Sequence, residues 1–279
     1  MDLTTETTPV EPPPQSPSPG LMKISDEVST RTEMVQCEAH GSYEATITDL
    51  YGIRKHVSPC PGCQKIRDEK LKIAEAQNRQ RQMQYKIDRL FRQACIPERF
   101  ADKSFESFQA ETRDEKKAQA VCQRYAQKFE QRLEAGGGIV MCGRPGTGKT
   151  HLAAAIANNV IREQGLPVVF SSVMGAIRRV KETYNRNSEE TETQAIDAFC
   201  KPSLLILDEV GVQFGTDAEK LIMFEIINGR YQKVLPTILI SNLCMEELKD
   251  YIGERVIDRM QEGGGAVISF DWESYRGKC

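Results

Sequence analysis

Short, continuous apolar runs separated by longer segments with helical periodicity dominate the second half of the chain. The runs have the length of β-strands and cover residues 139–142, 167–171, 203–209, 237–242 and 266–270. Strands that are apolar at nearly every position are typical of a parallel sheet covered on both faces, with helices connecting the strands. The pattern therefore predicts an α/β domain built on a five-stranded parallel sheet.

The amino-terminal third has a different pattern. Residues 1–32 are rich in Pro, Ser, Thr and Glu and carry too little apolar surface to offset the entropy of ordering them, which predicts a disordered tail. Residues 64–96 are dense in Lys, Arg, Glu and Gln without Gly or Pro, which predicts one long helix. This helix has a narrow apolar stripe that either packs on the following domain or docks on a partner as an exposed arm, and the stripe consists of Met83, Ile87, Leu90 and Phe91.

Residues 143–150 have the spacing G-x-x-x-x-G-K-[ST] of a phosphate-binding loop, between a predicted strand and a predicted helix. Glycines let the backbone curl until successive N–H groups point into one concavity, where they and the positive end of the helix hold phosphates. We expect Lys149 to reach the β and γ phosphates of ATP and Thr150 to bind Mg²⁺. The predicted nucleotide-binding residues are Gly143, Arg144, Pro145, Gly146, Thr147, Gly148, Lys149, Thr150 and His151.

Two adjacent carboxylates end the third apolar run, at the carboxyl end of a strand, where α/β sheets bind ligands. We expect Asp208 to hold Mg²⁺ through water, and Glu209 to orient and deprotonate the attacking water. Asn242 ends the fourth run and offers a polar group for the same water. Together with the phosphate loop, these residues predict an ATPase site.

Two pairs of metal-ligand residue types, each with two residues inside, flank a potential hairpin formed by residues 41–48 and 52–57. This spacing is typical of a tetrahedral Zn²⁺ site with three sulfur ligands and one nitrogen, and the predicted ligands are Cys37, His40, Cys60 and Cys63. Because the segment is too small to fold without metal, the zinc would be structural. His56 is a competing ligand that has no partner at two-residue spacing.

Charge and composition limit the partners and the cellular location that we expect for the protein. The formal net charge is −3, so any contact with nucleic acid must be local or repeated in an oligomer. Every apolar run falls short of the ~18 residues of a membrane span, and the amino terminus lacks the pattern of a signal peptide. We therefore expect a cytoplasmic protein without membrane contact, whose nine cysteines are reduced thiols or metal ligands.

The helix after the second apolar run carries local positive charge. It places Arg178, Arg179 and Lys181 beside Tyr184. Cations can follow the phosphates of single-stranded DNA while an aromatic ring stacks on a base, so we predict a DNA contact here. The alternative is an ordinary solvated helix face.

Several segments resemble the DnaC-type replicative helicase loaders of the AAA+ class, namely residues 143–156, 205–213, 237–243, 253–260 and 271–276. The resemblance covers roughly residues 96–279. It implies an AAA+ P-loop ATPase fold, ATP-dependent self-association, binding of single-stranded DNA and delivery of a hexameric replicative DNA helicase. It also implies the Walker A roles for Lys149 and Thr150, the Walker B roles for Asp208 and Glu209, and the sensor-1, arginine-finger and sensor-2 roles for Asn242, Arg259 and Arg276.

Two further features bear on the resemblance, one against the DnaC form and one in its favour. The cysteine module departs from the zinc-free DnaC form and is similar to the zinc-binding amino-terminal region of DnaI-type loaders. Arg255 and Arg259 lie four apart on a predicted helix over residues 246–260, so they share one face. The arginine-finger role that the resemblance implies for Arg259 would place this face at the ATP site of a neighbouring subunit.

The chain therefore divides into a disordered tail (1–32), a zinc-binding module (33–68), a helical arm (69–96) and an AAA+ ATPase domain (97–279). Two other functions would use the same segments: a related transposition-helper ATPase, and a zinc-stabilised nucleic-acid-binding adaptor with ATP as a switch. The segments 253–260 and 271–276 favour the loader over the transposition helper. An intact Glu209 argues against the adaptor.

Overall fold

The computed structural model of the protein describes residues 28–50, 54–211 and 216–277. These residues form two compact units, which divide in sequence between residues 78 and 79. Most of the predicted disordered tail, residues 1–27, lies outside the described residues, as does the predicted start of the second hairpin strand at residues 52–53.

The first unit contains a three-stranded antiparallel sheet in the order β1-β2-β3, with β1 at Val28–Cys37, β2 at Gly41–Leu50 and β3 at Arg54–Val57. The predicted hairpin is the β2–β3 pair, in which Ile47 lies opposite Val57. Strand β1 takes in residues 28–32, which the composition assigns to the disordered tail. Pairing with β2 over the whole length of β1 satisfies the backbone groups on one edge of this polar segment, and composition alone does not reveal such a pairing.

Helix α1 (Pro61–Ala94) is the predicted long helix and continues from the first unit into the second. It ends before Ile96, because the residue preceding a proline avoids helical geometry. Within the second unit, Leu90 is buried, and Ile87 and Phe91 are partly buried against the core. This part of the apolar stripe therefore packs on the following domain, whereas Met83 is 44% exposed.

The second unit contains the predicted five-stranded parallel sheet. Its strand order is β5-β6-β7-β4-β8, with β4 at Ile139–Gly143, β5 at Val168–Ser172, β6 at Leu204–Val210, β7 at Thr237–Ser241 and β8 at Ala266–Phe270. All neighbouring strands pair in parallel. Each predicted apolar run is one of these strands.

Eight further helices connect and cover the sheet in the described part of this unit: α2 (Arg113–Gln127), α3 (Phe129–Ala135), α4 (Lys149–Gln164), α5 (Val173–Glu182), α6 (Glu192–Cys200), α7 (Asp217–Gln232), α8 (Met245–Ile252) and α9 (Glu254–Gln261). The predicted helix over residues 246–260 is instead two helices, α8 and α9. They separate at Gly253, whose φ of +89° lies outside helical geometry. Helices α2 and α3 likewise separate at Lys128.

Side chains of the central strands alternate between two hydrophobic clusters. Ile139 and Met141 of β4 belong to the cluster formed with α2 and α4, whereas Val140 and Cys142 belong to the cluster formed with α5 to α9. Because both faces of the sheet are covered, the strands are apolar at successive positions. Among the described helices, none combines the length and the apolar character that a membrane span requires.

Candidate functional site

The phosphate loop joins the end of β4 to the start of α4, as predicted. Gly143, Gly146 and Gly148 have φ values of +117°, +77° and +93°. A Cβ added at Gly148 would lie 2.5 Å from Cε2 of Phe108, so both conformation and packing require glycine there. Helix α4 begins at the next residue, which leaves the free N–H groups of its first turn at the loop.

The ammonium group of Lys149 lies inside the loop. Its Nζ donates hydrogen bonds to the carbonyl oxygens of Gly143 at 2.7 Å and Arg144 at 2.6 Å, and the residue is only 4% exposed. Burial lowers the pKa of Lys149 to about 8. Since both partners are neutral carbonyls, an anionic phosphate would be a stronger partner for this ammonium.

Thr150 and Asp208 meet across the site. Thr150 Oγ1 donates a hydrogen bond of 3.0 Å to Asp208 Oδ2, while Asp208 Oδ1 accepts one of 2.7 Å from the Glu209 N–H. Burial raises the pKa of Asp208, although these hydrogen bonds act in the opposite direction. A hydroxyl beside a carboxylate is a pair of hard oxygen ligands, so these two residues fit Mg²⁺.

Glu209 has a backbone conformation that the sequence does not predict. Its φ is +64°, in the left-handed region that non-glycine residues rarely adopt. The pairing of β6 with β7 shifts register between Leu207 and Val210, which is the signature of a β-bulge around Glu209. The bulge turns Glu209 out of the ladder, so that it lines the cavity beside the phosphate loop.

A cavity of about 630 Å³ brings most of the predicted site residues together. Its predicted lining residues are Pro145, Gly146, Gly148, Lys149, Thr150, His151, Asp208, Glu209, Asn242 and Arg276. Three further lining residues were not predicted: Arg99, Phe100 and Tyr275. Arg99 and Phe100 lie more than forty positions before the loop, and no spacing rule links them to it. The sequence signal that could have identified these two lining residues was an Arg-Phe pair before the first helix of the domain.

The other predicted loop residues do not line the cavity. Gly143 and Arg144 contribute carbonyls to Lys149 Nζ, and the Arg144 side chain is exposed. Thr147 is fully buried, and its Oγ1 donates to the Arg144 carbonyl at 2.8 Å. These three residues shape the loop through its backbone.

Asn242 lies at the end of β7 and faces the cavity, whereas its neighbour Ser241 has a structural role. Ser241 Oγ donates to the Val210 carbonyl at 2.6 Å and accepts from the Leu243 N–H at 3.1 Å. These bonds join the ends of β6 and β7, and so fix Asn242 next to the carboxylates of β6.

His151 lines the cavity but also ties the loop to the segment before it. Its Nε2 lies 3.0 Å from the Ser104 carbonyl and 3.1 Å from Ser107 Oγ, and its ring meets Phe108 edge to face. Burial lowers the pKa of His151, which favours the neutral ring. With the Nε2–H donating to Ser104, this histidine acts as a packing and anchoring residue.

Arg259 and Arg255 both lie on α9 and not on one continuous helix over residues 246–260. Arg255 is exposed. Arg259 is partly buried: its Nη1 donates a 2.6 Å hydrogen bond to Asn228 Oδ1, and its guanidinium lies 4.8 Å from the ring centre of Tyr231. Neither arginine lines the cavity of its own chain, in contrast to Arg276.

The four residues predicted to contact DNA lie on and just after α5. Arg179 pairs with Glu190 at 2.8 Å, Lys181 pairs with Glu219 at 2.6 Å, and the Tyr184 hydroxyl donates to Glu192 at 2.9 Å. Arg178 is exposed, and Tyr184 is 59% exposed despite its hydrogen bond. Two of the three cations therefore lie beside carboxylates.

The first unit brings together the predicted zinc ligands. The Sγ atoms of Cys37, Cys60 and Cys63 and one ring nitrogen of His40 all lie within 4.8 Å of one another. His56 is not part of this cluster but lies on β3 opposite Thr48. Its role as a competing ligand is therefore not supported.

The spacing of the ligand atoms fits a tetrahedral metal ion. Cys37 Sγ lies 3.6 Å from Cys63 Sγ and 3.7 Å from His40 Nδ1, and Cys63 Sγ lies 3.4 Å from His40 Nδ1. With Zn–S bonds of about 2.3 Å and Zn–N bonds of about 2.0 Å, tetrahedral geometry places two sulfur ligands about 3.8 Å apart and a sulfur and a nitrogen ligand about 3.5 Å apart. The cluster therefore fits Zn²⁺.

Comparison with known proteins gives consistent matches. A family model described as "IstB-like ATP binding protein" matches residues 67–278. A protein of Buchnera aphidicola subsp. Baizongia pistaciae named replicative helicase loader DnaC is 35% identical over 193 residues, which cover 69% of this chain and 77% of that relative. The Escherichia coli (strain K12) protein of the same name is 34% identical over the same shares. A crystal structure of the DnaC helicase loader has a TM-score of 0.56 at 21% identity, over 63% of this chain and 100% of that one, and supports the fold alone.

Proposed function

Since this chain belongs to the IstB-like ATP-binding family, together with the DnaC replicative helicase loaders to which it is similar, we propose that it is an ATPase that delivers a hexameric replicative DNA helicase onto single-stranded DNA. The observation that carries the proposal is the convergence of Lys149, Thr150, Asp208 and Glu209 on one cavity at the carboxyl ends of β4 and β6. This set would provide a phosphate-binding cation, one direct and one water-mediated contact to magnesium, and a general base.

Each residue of the site has one task in the proposed hydrolysis. Lys149 would exchange its loop carbonyls for the β and γ phosphates, Thr150 would bind Mg²⁺, and Asp208 would hold the same ion through water. Bound Mg²⁺ would neutralise charge on the phosphate oxygens. Glu209 orients the attacking water and accepts its proton, while Asn242 on the neighbouring strand positions the same water. We expect the turnover of ATP to be modest, because a loader uses ATP to drive assembly of the helicase on DNA.

The loading activity is tested with the replicative helicase of the source cell and with circular single-stranded DNA that is coated with single-stranded-DNA-binding protein. The wild-type chain should increase the amount of helicase on DNA when ATP is present. Lys149→Ala should abolish this effect, while Lys116→Ala, a matched change of an exposed lysine on α2, should not. Equal loading by wild type and Lys149→Ala would contradict the proposal.

A transposition-helper ATPase remains the alternative, because the matching family model has an IstB-like description. The two functions differ in partner. The tagged chain, recovered from its source cell with ATP present, should carry the replicative helicase. Recovery of a transposase without the helicase would favour the alternative.

We also propose that single-stranded DNA crosses α5. Support comes from the exposed Arg178 and the largely exposed ring of Tyr184, a cation and a stacking platform on one helix end. Arg179 and Lys181 would have to exchange their carboxylate partners for phosphates. The Arg178→Ala, Arg179→Ala double variant should bind oligo-dT more weakly and with a smaller salt dependence than wild type. Arg124→Ala, a change of an exposed arginine on α2, is the control and should bind as wild type does. Unchanged binding and salt dependence would place DNA elsewhere.

Self-association with ATP and a structural Zn²⁺ in the first unit complete the proposal. Arg259 supports the first, since it lies on α9 and does not line its own cavity, and its guanidinium would reach the site of a neighbouring subunit by leaving Asn228 and Tyr231. The ligand separations around Cys37, His40, Cys60 and Cys63 support the second.

A further inference from the structure

The carboxyl-terminal segment, residues 271–277, follows β8 and contacts the backbone of the phosphate loop. Trp272 Nε1 donates a hydrogen bond of 3.1 Å to the Thr147 carbonyl, and the backbone N–H of Tyr275 donates one of 3.0 Å to the Gly146 carbonyl. Two consecutive carbonyls of the loop are thus held by one segment.

Each of these carbonyls belongs to a rigid peptide unit. The Gly146 carbonyl shares its plane with the Thr147 N–H, and the Thr147 carbonyl shares its plane with the Gly148 N–H. In a trans peptide the two groups point in opposite directions, and no described peptide bond is cis. Because the segment holds the two carbonyls, the N–H groups of Thr147 and Gly148 point away from the segment, where they are free to donate to phosphates.

We propose that Trp272 and Tyr275 are positioning residues that fix the phosphate loop in its binding conformation before ATP arrives. The inference rests on the proposed function, in that it takes ATP as the ligand of the loop. Donors that are already oriented need not be ordered on binding, so the nucleotide binds more tightly than it would to a loop free to rotate these peptides.

The packing around the segment supports this role. A Cβ added at Gly146 would lie 2.1 Å from Ser274 Oγ, so the segment lies directly against the Cα of this glycine. The Trp272 ring packs on Phe270 with ring centres 4.8 Å apart, which fixes the position of the indole N–H. The Tyr275 hydroxyl donates to the Gln109 carbonyl in the segment before the loop. The carboxyl-terminal segment is therefore anchored at Trp272 by Phe270 and at Tyr275 by Gln109.

The main test measures ATP affinity by calorimetry in Trp272→Phe, which keeps a ring on Phe270 and removes the indole N–H. One lost hydrogen bond is worth about 0.5–1.5 kcal/mol, so ATP should bind about two- to tenfold more weakly. Tyr275→Phe, which removes the bond to Gln109, should act in the same direction. Tyr43→Phe is the matched control, because it removes a phenol-to-carbonyl bond in the other unit, to Ser58.

Steady-state hydrolysis separates positioning from general damage. The loop N–H groups contact phosphate in the ground state and the transition state alike, so KM should rise in Trp272→Phe while kcat stays within about twofold. A protein that was merely less well folded would instead show a smaller active fraction, with lower kcat and unchanged affinity.

Trp272 is the one tryptophan of the chain, so its fluorescence reports on this segment alone. ATP should change its emission with the same midpoint as calorimetry, because a phosphate bound to the Gly148 N–H polarises the peptide whose carbonyl accepts the indole bond. Tryptophan emission that does not respond to bound ATP would contradict the positioning role of Trp272.

The outcomes separate the two proposals. If wild type and Lys149→Ala both fail to bind ATP, the proposed function is wrong and this inference falls with it. If wild type binds, Lys149→Ala does not, and a folded Trp272→Phe binds as tightly as wild type, the positioning role alone is wrong. Should Trp272→Phe not fold, Tyr275→Phe and the wild-type fluorescence decide by the same criteria.

Discussion

The Thr150 hydroxyl donates a 3.0 Å hydrogen bond to the Asp208 carboxylate, although the two residues are 58 positions apart in the chain. One lies in the first turn of α4 and the other near the end of β6, on the side of the sheet where the phosphate loop leaves β4. This contact defines the proposed magnesium site.

Asp208→Asn should remove the charge that holds Mg²⁺ and keep the shape of the site. Because metal stabilisation of the phosphoryl group is worth several kcal/mol, we expect hydrolysis to fall by about 100-fold or more. Phosphate release measured against Mg²⁺ concentration checks this result. Asp197→Asn, a change of a partly buried acid on α6 that pairs with Lys233, is the control and should retain activity. Full hydrolysis by Asp208→Asn would remove Asp208 from the metal site.

Glu209 links activity to backbone strain. Glu209→Gln should retain bound ATP and lose hydrolysis, because an amide cannot accept the proton of the attacking water. Glu209→Gly should also be inactive, yet its unfolding free energy should rise by roughly 0.5–1 kcal/mol, since relief of a left-handed conformation outweighs the added chain entropy of glycine. Denaturant unfolding of the two variants checks the second expectation. A glycine variant less stable than Glu209→Gln would show that φ near +64° carries no strain.

The pKa of about 8 at Lys149 predicts a pH dependence of ATP binding. Burial disfavours the charged form in the free protein, and phosphates restore it, so ATP binding takes up a proton above pH 8. Affinity should therefore fall as pH rises from about 8 toward the ordinary lysine value of 10.5, by up to tenfold per pH unit. Calorimetry in buffers of different ionisation enthalpy measures the uptake. Lys149→Arg, which stays charged, is the control. Equal wild-type affinity at pH 7 and pH 9 would contradict the pKa shift.

The zinc site predicts a stability effect limited to one unit. Freshly purified protein should contain one Zn²⁺ per chain by elemental analysis. Cys60→Ser should lose the metal and unfold the three-stranded sheet, because a unit this small depends on its metal, while ATP binding is retained. Cys95→Ser, a change of an exposed cysteine outside the cluster, should keep its zinc. Protein without metal would rule out the site.

Arg259 is expected to complete the ATP site of a neighbouring subunit. To reach it, the guanidinium must leave Asn228 and the ring of Tyr231. An arginine supplied by another subunit can be worth roughly 10³–10⁵ in rate, so Arg259→Ala should bind ATP but lose most of its turnover and its ATP-dependent self-association. Arg255→Ala is the matched control on the same helix.

Mixing Arg259→Ala with Lys149→Ala tests the shared site directly. One intact half from each chain can rebuild a complete site, so hydrolysis should recover in the mixture. No recovery at any ratio, with the chains shown to associate, would exclude a role for Arg259 between subunits.

The sequence by itself determined the features that depend on local spacing. The five strands were predictable because a strand covered on both faces must be apolar at successive positions. The phosphate loop was predictable because Gly146 and Gly148 need positive φ, and the metal cluster because two-residue spacing lets the side chains of Cys60 and Cys63 converge.

Only the tertiary structure decided which distant residues meet. Packing of segments far apart in sequence brought Arg99 and Tyr275 to the cavity, and it placed the Glu219 carboxylate beside Lys181. The left-handed Glu209 likewise depends on the register of β6 against β7. Local patterns encode which surfaces a segment must bury. They do not encode which partner buries them, because that choice is made by the packing of the whole domain.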